Sequence, residues 1–188
     1  MSKYKYTQEW FLATELKQKM FNFCDKTIAN RILEIGSFEG LSSTFFADNF
    51  LDHQDSSLTC VDPFLNIKYN DHIKFLLNNE EMNFDFNISV CKNVDKIIIH
   101  KITSDEFFEN NNKTYNFIYL DGCHNVDFIK RDMENSFNIL EKNGVMWMDD
   151  YYGGDGIQIR NTMNAFLMKY VGQYELIHMG YQLAIKKT

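Results

Sequence analysis

The sequence predicts a doubly wound α/β domain, and three observations carry that expectation. Short apolar runs alternate with longer amphipathic stretches along the chain. The apolar runs are nearly continuous, without strict alternation, as strands buried on both faces of a parallel sheet should be. The chain has 188 residues, 45% of them hydrophobic, which fills one core and leaves no second domain.

Taken in order, residues 1–30 read as a helical extension, with an amphipathic helix from roughly Thr7 to Phe23, and residues 31–188 as the sheet-bearing core. The strands are RILEIG (31–36), LTCVD (58–62), KIIIHKI (96–102), NFIYLDG (116–122) and GVMWMDD (144–150). Helices fall between them at GLSSTFFADNF, around Phe84–Cys91, at SDEFFEN and at VDFIKRDMENSFNIL. In the last, Phe128, Met133, Phe137 and Leu140 make one apolar stripe. Strand–helix alternation implies βαβ units with right-handed crossovers. The tail QYELIHMGYQLAIKK holds two strands close together around Gly180, hence a hairpin added antiparallel at one edge. The asparagine run at 110–112 reads as a surface loop, and no internal repeat is evident.

The net charge of −7, with no Lys/Arg cluster, argues against a nucleic-acid partner. Cys24, Cys60, Cys91 and Cys123 are far apart and form no C-x-x-C pair, so zinc and a disulfide framework are not expected. No apolar run approaches membrane-spanning length, and MSKYKYTQEW has no signal-like apolar core, so no membrane association and a cytoplasmic setting are expected.

ILEIGSFEGLSS is a strand, a glycine turn and a helix start. Gly36 permits the turn and Gly40 lets the helix begin close to a ligand. A dinucleotide fingerprint needs a middle glycine, and Phe38 stands there instead. Glu34 is a poor neighbour for phosphates and a good one for an ammonium or sulfonium. Asp62 ends the next strand, somewhat beyond the roughly 20-residue offset of a ribose-binding acid. The expected ligand is adenosine-like, cationic and free of phosphates, which S-adenosylmethionine satisfies; the bland alternative is a generic glycine turn with an unrelated acid later.

Together LEIGSFEGLSS, CVDPF, YLDGCH and NGVMWMDDYY resemble the class I S-adenosylmethionine-dependent methyltransferases, most closely the small O-methyltransferases with D-G-x-H and D-D-Y motifs that include macrolide and aminocoumarin sugar enzymes. The resemblance covers about Arg31 to Phe166. It implies a seven-stranded sheet in the order 3-2-1-4-5-7-6 with the last strand antiparallel. It also implies that Glu34 meets the cofactor's amino group, that Gly36, Ser37 and Gly40 cradle its methionine part, and that Asp62 binds the ribose. Thr103 and Ser104 match the adenine contact, Thr103 replacing a commoner Asp. Val126 departs from a frequent Tyr, which leaves the shape of the acceptor pocket open.

Asp121 ends one strand and Asp149–Asp150 another. In a doubly wound sheet ligands bind at the carboxyl ends of strands, and neighbouring strand tips lie about 4.8 Å apart. Three carboxylates held there need a cation or a proton. All-oxygen ligation points to Mg²⁺, or Mn²⁺ or Ca²⁺. The resemblance likewise sets Asp121, Asp149 and Asp150 on a divalent ion, with Asp121 also beside the cofactor. Asp121 could instead cap the following helix. His124 is a candidate general base, metal ligand or donor to substrate, with Asp121 as the alternative base. His100 reads as structural, and His53, His72 and His178 as solvated. Tyr151, Tyr152 and the GGDG loop (153–156) suit a lid or a plain turn, and Arg160 a substrate contact. The aromatics Trp10, Phe11, Phe64, Tyr69 and Phe75 suit a ring-shaped acceptor or a homodimer contact.

The expected function is S-adenosylmethionine-dependent, divalent-metal-dependent O-methylation of a small hydroxylated acceptor such as a sugar or nucleotide-sugar. The rivals are methylation without metal using His124 as base, a non-catalytic S-adenosylmethionine-binding module, and an NAD(P)-dependent reductase, the last disfavoured by Phe38 and Glu34.

Overall fold

The computed structural model describes residues 2–64, 79–153 and 157–188. Seven strands form one sheet: β1 (Arg31–Ile35), β2 (Ser57–Val61), β3 (Ile97–His100), β4 (Tyr115–Leu120), β5 (Leu140–Met148), β6 (Tyr174–Met179) and β7 (Leu183–Lys187). Their order is β3-β2-β1-β4-β5-β7-β6. Strands β1 to β5 pair in parallel, while β7 runs antiparallel to both its neighbours. The expected order and the terminal hairpin around Gly180 are both present.

Helices cover both faces. One face packs the N-terminal segment, α2 (Leu41–Phe50) and α3 (Glu80–Val90) against Ile32, Phe117, Tyr119 and Trp147. The other packs α4 (Ser104–Asn110), α5 (Val126–Ile139) and α6 (Ile157–Lys169) against Leu33, Ile118, Met146 and Ile185. Successive strand residues feed opposite layers, which is why β1 and β4 read as unbroken apolar runs. Among the described residues no helix is long and apolar enough to cross a membrane.

Three expectations change. The N-terminal helix is broken into a 3₁₀ turn (Trp10–Ala13), a short α1 (Glu15–Lys19) and a second 3₁₀ turn (Met20–Asn22). The break is Thr14, extended at φ −72° and ψ 152°, whose hydroxyl caps α1 by accepting from the Lys17 amide. Phe128 leaves the expected apolar stripe: it is exposed, with the Arg131 guanidinium 4.6 Å from its ring, and Ile129 packs inward instead. His178 is enclosed, stacked on Trp147 at 5.1 Å and bonded through Nε2 to Glu15 at 2.8 Å. A period-based reading misses it because the covering Glu15 lies far away in sequence. His72, Tyr69, Phe75 and most of the GGDG loop lie outside the described residues.

Candidate active site

The glycine turn after β1 is a closed hydrogen-bonded unit. Gly36 has φ +87°, and a Cβ there would lie 2.0 Å from the Asp121 carbonyl oxygen. Only glycine lets the ends of β1 and β4 approach this closely. Gly40 begins α2 at φ +78°. Asp62 Oδ2 accepts from the amides of Ser37 and Phe38, each at 2.9 Å, and Oδ1 from Phe64 at 2.8 Å. The strand-end acid expected at a ribose thus also holds the turn in shape. Burial raises its pKa against the three amide bonds that lower it.

Glu34 is enclosed by its own turn. It is fully buried, and its carboxylate accepts from Ser37 Oγ at 2.8 Å and from the hydroxyls of Ser42 and Ser43. Three hydroxyls of the turn and α2 occupy it where a cofactor amino group was expected. Burial raises its pKa, the hydroxyls opposing. Thr103 is likewise occupied: it caps α4, its hydroxyl 2.8 Å from Glu106 Oε2 while the Glu106 amide donates to it, a capping box. Ser104 begins the same helix beside the Asp132 carboxyl.

At the tips of β4 and β5 the acids converge. The ladder continues past the strands, Asp149 N donating to Leu120 O at 2.9 Å. Ligand atoms of Asp121, His124 and Asp150 lie within 4.8 Å of one another. His124 Nε2 is 2.8 Å from Asp150 Oδ2, and the Tyr181 hydroxyl donates to Asp150 Oδ1 at 2.7 Å. Asp150 adopts φ +60°, a conformation Asp tolerates better than most residues. Gly153 completes this turn, since a Cβ there would meet Asp150 Oδ1 at 2.3 Å.

Asp149 stands outside that trio but borders the same cavity. Its Oδ2 is 2.9 Å from the Tyr119 hydroxyl, and its Oδ1 accepts from the Asp150 amide. Tyr119 is equally 2.9 Å from Asp121 Oδ2, so one phenol bridges both acids. A phenol carries a single hydrogen; satisfying both contacts therefore requires a proton on one carboxyl. The electrostatics agree. Burial, then Asp149 and Asp150, push Asp121 well above the carboxylate range, and burial, then Asp150, raise Asp149. Burial opposes the ionised form of Asp150 too, but the bonds from His124 and Tyr181 prevail and lower it. A proton, or a divalent cation in its place, suits this set of oxygens plus one imidazole.

Sequence reasoning missed Tyr119 and Tyr181. Tyr119 was accessible, because it lies two residues before Asp121 on the same strand and so shares its face. Tyr181 arrives by the hairpin turn, and nothing local marks it. Trp10 stacks on Phe38 at 5.5 Å beside the glycine turn, whereas Phe11 is core. Arg160 lies over the Tyr152 ring at 5.2 Å.

The sheet order, the glycine turn and the acids at adjoining strand tips define a Rossmann-like methyltransferase fold. The chain belongs to the family described as Methyltransferase domain, whose model matches residues 33–151. No curated protein matches it in sequence. Among solved structures it is similar to a candidate rRNA methylase from Clostridium thermocellum (12% identity, 97% of each chain, TM-score 0.68). It is also similar to a candidate caffeoyl-CoA O-methyltransferase from Staphylococcus aureus (20% identity, 98% of this chain and 86% of that one, TM-score 0.62). A third is the O-methyltransferase TomG from Streptomyces achromogenes, solved with S-adenosylmethionine (12% identity, 92% of this chain and 78% of that one, TM-score 0.64). At these identities the likeness is one of fold.

Proposed function

We propose that this chain transfers the methyl group of S-adenosylmethionine to a hydroxyl of a small molecule, a sugar or nucleotide-sugar, with a divalent cation such as Mg²⁺ at the strand tips, in the cytoplasm. The observation that carries this reading is the gathering of Asp121, His124 and Asp150 beside the glycine turn, with Asp149 adjoining. Asp121, Asp149 and Asp150 would hold the cation, and the glycine turn with Asp62 the donor. When bound, the cation would supply Lewis acidity, lowering the pKa of the acceptor hydroxyl. The chain's own part is positional. Asp150, fixed by Tyr181, orients the His124 ring, and His124 takes the proton of the attacking hydroxyl. Alignment of that oxygen with the methyl carbon accounts for much of the rate.

The 2.8 Å His124–Asp150 contact and the Asp149–Tyr119 bond favour a second reading, methyl transfer without metal. A metal titration separates the two. Under the first, EDTA and the variants Asp149→Ala and Asp150→Ala each abolish turnover on a hydroxylated acceptor panel. If all three leave it intact, the cation has no role. Calorimetry with S-adenosylhomocysteine against NAD tests the donor assignment independently.

A further inference from the structure

Gln182 stands just before β7 and plays no part in the chemistry above. It is fully buried, and its Oε1 accepts from Leu16 N and Trp147 Nε1, both at 2.8 Å. Its Nε2 has no hydrogen-bond partner among the described residues. An amide nitrogen carries two donors, and leaving them unpaired in the interior is costly. The orientation of the amide is nonetheless fixed. A flipped group would set its own N–H bonds against those of Leu16 and Trp147, so Oε1 must take those two donors and Nε2 must look for an acceptor.

The sheet register supplies that acceptor. β5 and β7 run antiparallel, with Trp147 opposite Ala184 and Met148 opposite Leu183. One step further sets Asp149 opposite Gln182 and Asp150 opposite Tyr181. The 2.7 Å bond from Tyr181 to Asp150 fits this alignment. Side chains two apart on a strand share a face, so Asp149 stands on the side of Trp147, and the bond from Trp147 puts Gln182 there too. Burial, then Asp150, raise the Asp149 pKa, and the Gln182 amide is among the groups opposing them, as a donor beside a carboxylate should be. Asp149 has acceptor capacity to spare. Its oxygens take bonds from Tyr119 and from the Asp150 amide, whereas an ionised carboxylate offers about four lone-pair sites.

We infer that Gln182 is a positioning residue for the cation site: its Nε2 donates to Asp149 when that carboxylate binds the metal, so that the N-terminal segment, through the amide it fixes, holds a metal ligand in place. This rests on the divalent-cation reading proposed above.

The test uses the intact protein and calorimetry with Mg²⁺ alone on wild type, Gln182→Met and Phe50→Leu. Phe50 is a buried residue at the far end of α2, so its variant loosens the core without touching the strand tips. Gln182→Met should bind Mg²⁺ at least about tenfold more weakly than wild type, as expected when the partner that orients a metal ligand is removed. Phe50→Leu should leave the affinity unchanged. Unchanged affinity in Gln182→Met overturns the inference, and so does equal weakening in both variants, which marks a purely structural role. If Gln182→Met does not fold, nuclear magnetic resonance on isotope-labelled wild type decides. The Gln182 side-chain amide, assigned through its contact with the Trp147 Nε1 proton, should move downfield on saturation with Mg²⁺; a stationary resonance overturns the inference. Wild type binding no Mg²⁺ at all would sink the cation reading, and this inference with it.

Discussion

Gly36→Ala and Gly172→Ala form a matched pair. Both glycines have left-handed backbones, φ +87° and +85°. Placing an L-residue there costs about 1–2 kcal/mol. The surroundings differ completely: among the described residues an added Cβ meets nothing within 4 Å at Gly172, but at Gly36 it lies 2.0 Å from Asp121 O, 2.6 Å from Asp121 C and 2.8 Å from Gly122 Cα. All three are backbone atoms, so no side chain can rotate away. Restoring an ordinary carbon–oxygen contact would part the ends of β1 and β4 by more than an ångström, an overpacking cost of about 3 kcal/mol or more on top of the backbone term. Urea denaturation should therefore show Gly172→Ala losing about 1–2 kcal/mol and Gly36→Ala about 4 kcal/mol or more. Calorimetry with S-adenosylhomocysteine should show binding lost only in Gly36→Ala, because Asp121 moves with the strand end. Equal losses for the two variants would refute the close-approach argument.

Asp132 has its folded pKa raised to about 6, so the native state keeps a proton that the unfolded chain releases near pH 4. Stability is therefore lost as pH rises from about 4 through 6. Asp132→Asn should remove that loss and raise the melting temperature at pH 8 more than at pH 4; the opposite order refutes the assignment. Gln182 is fully buried and its Oε1 accepts from both Leu16 N and Trp147 Nε1 at 2.8 Å. Gln182→Leu orphans both donors and should cost about 2–4 kcal/mol, with faster hydrogen exchange at residues 14–22. Addition of Mg²⁺ near pH 6 should release on the order of one proton, because the Tyr119 bridge needs one on Asp121 or Asp149; calorimetry in buffers of different ionisation enthalpy measures it, and release of none counts against the shared proton.

The strands and their order were legible because burial on both faces leaves a plain apolar signature, as in RILEI and YNFIYL, and because the resemblance supplied the arrangement. The tips were legible for a related reason: Asp121 and Asp149 interrupt apolar runs where a strand must end. What stayed hidden depends on long-range contacts. The serine bonds to Glu34 are one case, since nothing in LEIG says that Ser42 and Ser43 will turn onto it. Tyr181 and His178 depend on where a hairpin and the N-terminal segment settle, and those partners lie 31 and 163 residues away. Thr14 broke a helix that its apolar periodicity favoured.

The hairpin turn between β6 and β7 faces two ways. Tyr181 donates to Asp150, and the next residue, Gln182, receives the N-terminal segment through Leu16 and Glu15. Docking of the first twenty residues and the aim of the His124–Asp150 pair are thereby mechanically joined through one dipeptide. Shortening or loosening the front of the chain would then be felt at the proton-accepting imidazole before it was felt in the sheet.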